Sequence, residues 1–130
     1  MVLSNTCDID QNNVRLMSSR LIHAPIINLQ KYSEMLKKLP VDTNKIDQHI
    51  SSIKNQYISH IFFLPKVDGV IEESIIFFDK VTTLPSGYLS EPEIINQRLF
   101  TLSDFGFYLF LFKLSVHFTR VRENVSRNPA

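Results

Sequence analysis

Apolar residues recur at helical spacing in three parts of the chain, and as dense β-branched and aromatic runs in a fourth. Leu29, Tyr32, Leu36 and Leu39 follow one another at intervals of three and four, with Lys31, Glu34, Lys37 and Lys38 on the other side. That spacing predicts an amphipathic helix between Pro25, suited to a first turn, and Pro40, which ends it. The pattern restarts with Ile46, Ile50, Ile53 and Tyr57, opposed by Asp47, Gln48, Ser51, Lys54 and Asn55. It predicts a second helix over about 43–57, with Asp42 or Thr43 as its N-cap. The short connector "LPVDTN" makes the two helices antiparallel neighbours.

Two apolar runs follow, "ISHIFFLP" and "VIEESIIFFDKVT", joined through Val67-Asp68-Gly69-Val70. Asp-Gly between β-branched and aromatic runs is a hairpin signal, because both residues tolerate the left-handed backbone of a tight turn. Strands are expected over about 58–65 and 70–82, with Pro65 at an edge or an end because it has no N–H to donate. Ile71, Ile75 and Phe78 also fit helical spacing, which leaves a continued helix as the alternative. Residues 84–97 carry two prolines and a Ser-Gly pair and read as a loop. For residues 14–24 the pattern does not separate helix from strand. Residues 1–13 are polar and Asn/Asp-rich, the composition of a loose tail.

The last segment, "TLSDFGFYLFLFKLSVHFTRVREN", has a stripe of its own. Phe107, Leu111, Leu114, Phe118, Val121 and Val125 alternate at intervals of four and three, which predicts a long helix from about residue 104 to 127. Ser103 or Thr101 can cap it, and Asp104 in its first turn suits the helix dipole. The alternation of Phe112, Leu114, Val116 and Phe118 with polar residues is a rival strand pattern, but it leaves Val121 and Val125 unexplained. Three functional readings compete for this stretch. Asp104-Phe105-Gly106 spells a kinase metal-binding triplet, yet the chain has only three glycines and no glycine-rich phosphate loop or catalytic loop to accompany it. A membrane span needs ~20 apolar residues, whereas the uninterrupted run from Phe105 to Phe112 ends at Lys113. A packing helix remains. Its first half is apolar on every side, so it must be covered on every side. The expected contact surface, against a protein partner or a second copy, is Tyr108, Leu109, Phe112, Leu114, Phe118 and Val121.

Composition narrows the function classes. A chain of 130 residues with 44% hydrophobic content is long enough for one domain with its own core, here placed at 14–130. The net charge of +1 supplies no overall pull toward nucleic acid. One cysteine, Cys7, forms no internal disulfide, and with no leader pattern this points to a cytoplasmic setting. Lys113, His117, Arg120 and Arg127 recur on one side of the last helix and form a basic stripe, the candidate contact for nucleic acid. His60, Glu72, Glu73 and His117 are the best candidates for a metal or catalytic group, but neighbouring Glu72 and Glu73 would point to opposite faces of a strand. No nucleophile, phosphate-loop or paired-histidine spacing is present, so neither cofactor nor metal is expected. The sequence therefore predicts an α+β fold with an N-terminal helical pair, a central β-hairpin and a long C-terminal helix. It predicts a non-enzymatic interaction or regulatory subunit, with nucleic-acid binding as the alternative.

Overall fold

A computed structural model describes residues 1–3, 20–85 and 98–119 of the chain. Strand β1 (Arg20–His23) leads to β2 (Ile27–Asn28), helix α1 (Leu29–Leu36), helix α2 (Thr43–Lys54), β3 (Ile61–Leu64), β4 (Ser74–Phe77), a 3-10 turn at Phe78–Lys80, β5 (Thr82–Pro85) and helix α3 (Asp104–Phe118). The fold is α+β with two small antiparallel sheets, β1–β5 and β2–β4–β3. The helical pair, the hairpin and the C-terminal helix are all present, but α1 stops at Leu36 and α2 at Lys54, so Leu39 and Tyr57 lie beyond the helix ends and are exposed.

Several boundaries differ for local reasons. Helix α1 starts at Leu29, not at Pro25, because Ile27 and Asn28 pair with Ile75 and Ser74 of β4. Asn28 then turns the chain into the helix, its Oδ1 accepting from Lys31 N at 3.0 Å. Asp42 caps α2 in the same way through Asn44 N. Tyr32 of α1 meets His49 of α2, and farther along Leu36 faces the same cleft as Lys45 and Ile46, the order of an antiparallel pair. The hairpin closes through a Val67–Ile71 bridge, with Gly69 at φ +73°, a backbone a side chain would strain. The second predicted strand does not run unbroken to residue 82. It ends at Phe77, turns through Phe78–Lys80, and re-enters as β5 in the other sheet, so Leu84 and Pro85 are strand rather than loop. Residues 20–23 resolve as strand. Met1–Leu3, assigned to the loose tail, lie along β1 instead: Val2 bridges His23 and Leu3 N donates to Ile22 O at 2.8 Å. The rest of that tail, Cys7, loop residues 86–97, and Arg120, Val121, Val125 and Arg127 lie outside the described residues.

Strand alternation divides the core between the two faces of the three-stranded sheet. Ile61 and Ile75 join Leu29 and Ile53 beneath the helical pair. Phe62, Leu64 and Ile76 point the other way and, with Ala24, Phe78 and Phe110, form the cluster on which α3 rests. The sheet is thus covered by α1 and α2 on one face and by α3 on the other.

Candidate interaction surface

Helix α3 begins at Ser103, whose Oγ accepts from Gly106 N at 3.2 Å. One side chain anchors it in the core. The Phe110 ring, 3% exposed, stands edge-on to Phe62 and Phe78 with centroids 5.1 and 5.3 Å away. Such T-shaped contacts add about 0.5–1.5 kcal/mol each beyond burial. Two turns further, His117 lies against Phe78. The face turned inward is therefore Gly106, Phe110, Lys113 and His117, with Leu109 and Leu114 at its margins.

This phase corrects the seam expected from sequence. Phe107, Leu111 and Phe118 are exposed, while Lys113, expected on a solvated basic stripe, is only 5% exposed. Its Nζ donates to Gln56 Oε1 at 2.8 Å, to Gln56 O at 3.1 Å and to Ile61 O. The three donors of the ammonium thus meet three oxygens. The amine is spent inside the fold and does not face a phosphate.

The partner of Lys113 is itself held by an unusual backbone. Helix α2 ends with Gln56 N donating to Ile53 O and Tyr57 N to Ser52 O, both at 2.9 Å. That is the paired closure in which the first residue past the helix cap adopts a left-handed conformation, usually glycine. Gln56 takes that place at φ +61°, at a cost of about 1 kcal/mol. Its side chain supplies the compensation. Gln56 Nε2 donates to Phe63 O at 2.8 Å and Gln56 Oε1 accepts from Phe63 N at 3.2 Å, so the carboxamide pairs with the outer edge of β3 as a strand residue would. Ile61 O on the same edge takes Lys113, and Ile61 N takes Ile58 O. Side chains therefore close the edge of β3 that faces away from β4, the kind of edge that otherwise recruits foreign strands.

Burial pulls the Lys113 amine down from 10.5 to about 8. Between those values the folded chain releases the proton while the unfolded chain keeps it, so stability should rise with pH across that window and the burial cost should be fully felt below it. Relative to Lys113→Met, the native protein is expected to gain ~1–3 kcal/mol between pH 8 and 10.5. Urea unfolding of both proteins along that pH series measures it; a flat difference would contradict it.

The outward half of α3 holds the exposed apolar surface. Phe105 (78%), Tyr108 (70%), Phe112 (67%) and Phe118 (66%) stand out most, and Phe107, Leu111 and Val116 are also exposed. Of the residues expected in a contact surface, Tyr108, Phe112 and Phe118 are thus presented outward. Leu109 and Leu114 pack partly against the inner cluster. Phe105 and Val116 were not expected there; an apolar residue at every angle of the helix was their only sequence signal.

The candidate chemical group does not assemble. Glu72 pairs with Lys66 at 3.1 Å and Glu73 with Lys54 at 2.7 Å. The His60 ring lies beside Phe77 at 6.5 Å, whereas His117 lies beside Phe78, which points to the other face of the sheet. Among the described residues, no set of three His, Cys, Asp or Glu could hold a metal. The cleft between α1 and α2, lined by Leu36, Leu39, Val41, Lys45, Ile46 and His49, offers about 120 Å³, below the ~300 Å³ at which ligand pockets begin. No helix among the described residues is long and apolar enough to cross a membrane. No protein-family model matches the chain, and neither a curated protein nor a solved structure matches it.

Proposed function

We propose that the chain is a small, non-enzymatic interaction protein of the cytoplasm that works by docking another protein chain on the outward face of α3. One observation carries the reading: five aromatic rings and Leu111 stand exposed along a single helix of 15 residues. At roughly 200 Å² per ring, and scaled by their exposure, these side chains present on the order of 700 Å², above the ~300–600 Å² of the largest apolar patch on an ordinary monomer. Tyr and Phe are also the residues that interfaces favour, since they bring large area at small entropic cost. The basic residues give the competing nucleic-acid reading little support, because Lys113 is consumed internally.

A photoreactive benzophenone amino acid placed at position 108 or 112 tests this in cells. Each is expected to give adducts of discrete mass that disappear with Leu111→Glu. The same probe at Met35, which is exposed on α1, should give none. Equal labelling from all three positions, or none from 108 and 112, would count against a docking face.

A further inference from the structure

We propose that the occupant of this face is a second copy of the same chain, with α3 packed against α3 in antiparallel, two-fold fashion. The inference rests on the docking reading above and adds the identity of the partner.

Area is the first argument. One face of on the order of 700 Å² is half an interface; two copies together offer at most ~1,400 Å², in reach of the ~1,200–2,000 Å² of a stable, specific contact.

Pattern is the second. Asp104, Tyr108, Leu111, Ser115 and Phe118 follow at intervals of four, three, four and three along the outward side, which is the repeat of a helix seam. Phe105 and Phe112 flank that row on one side, Phe107 and Leu114 on the other. In an antiparallel pair, mixed layers place Leu111 against Ser115 of the second copy and Tyr108 against its Phe118. The small hydroxymethyl group of Ser115 makes room at the centre for Leu111, and the large rings fill the outer layers. A two-fold contact sets each surface against itself, and this surface has no charge at its centre to repel its own copy.

Charge gives the direction. Asp104 is the only acidic residue in the helix and sits at its start. A parallel pair would bring two Asp104 carboxylates and two like helix ends together. The antiparallel pair separates them by ~27 Å along the axis and opposes the two dipoles. Pairing of strands at β3 does not compete, because Gln56 and Lys113 already occupy that edge.

Sedimentation equilibrium of the full chain is expected to give twice the 15.1 kDa chain mass. Leu111→Arg should give the single mass with unchanged far-ultraviolet circular dichroism. Direction is read by mixing a Leu111→Cys chain with a Ser115→Cys chain, each also carrying Cys7→Ser. The mixed 111–115 disulfide should form faster than either self-disulfide. Prevailing 111–111 and 115–115 links would overturn the antiparallel arrangement. A native chain that stays at single mass at every concentration, or a double mass that survives Leu111→Arg, would overturn self-pairing. If benzophenone at 108 still yields discrete adducts in cells from a chain that is monomeric when pure, docking stands and the second copy is excluded. If those adducts are missing as well, both readings fail.

Discussion

Truncating Phe110 to alanine is expected to cost about 3–5 kcal/mol of folding free energy, the range for emptying an aromatic site in a packed core. The ring is the inward anchor of α3, edge-on to Phe62 and Phe78 and buried with Ala24, Leu64 and Ile76. Its loss leaves α3 held chiefly by Lys113 and His117, so amide exchange in 104–118 should quicken more than exchange in α2. Phe118→Asp, on the outward side, makes the contrast. In the Leu111→Arg background, where the face of α3 is not covered by a second copy, a carboxylate there meets water rather than core, and the variant should melt within about 1 kcal/mol of a Phe118→Ser control. Were Phe118→Asp the more damaging of the two, the phase of α3 would be wrong.

Gln56→Ala is the second large effect. It removes the carboxamide that pairs with both backbone groups of Phe63 and receives Lys113. Unmade buried bonds cost about 1–3 kcal/mol each, and water reaching this partly open edge lowers the total, so a loss of ~2–4 kcal/mol is expected. Gln56→Gly should recover about 1 kcal/mol of that, because glycine takes the left-handed backbone without strain. Denaturant unfolding of the three proteins separates the two contributions. Glycine matching the native protein would mean that the carboxamide contributes only the ~1 kcal/mol needed to offset the backbone strain. The opened β3 edge should also make both variants more prone to aggregate.

The apolar periodicity of the helical pair was legible because each helix has one wet side, so Ile46 and Ile53 could only point inward. The hairpin was legible because Asp68-Gly69 admits few backbones. What stayed hidden has a physical cause in each case. Asn28 caps a helix whose preceding residues are claimed by β4, and a propensity reading of Pro25 cannot see that pairing. The break at Phe78 depends on a second sheet whose partner strand is about 60 residues away in sequence. For α3, an apolar side chain at nearly every angle removes the contrast from which a phase is read. The heptad of Phe107, Leu111, Leu114 and Phe118 is real, but most of it lies outside the fold. The inner row contains a lysine, and only a long-range partner such as Gln56 makes that lysine acceptable inside. Gln56 has no sequence signature at all, since its role depends on a left-handed backbone that glutamine rarely takes.

The most direct measurement is fluorine NMR of the full chain with 4-fluorophenylalanine at Phe112 in one sample and at Phe110 in another, followed on dilution in light and heavy water. Phe112 is 67% exposed on a single chain and Phe110 is 3% exposed. If two copies close over the outward face, the Phe112 signal should lose most of its solvent isotope shift at high concentration and regain it on dilution. The Phe110 signal should stay solvent-insensitive throughout. A Phe112 signal with a full isotope shift at every concentration would contradict the account.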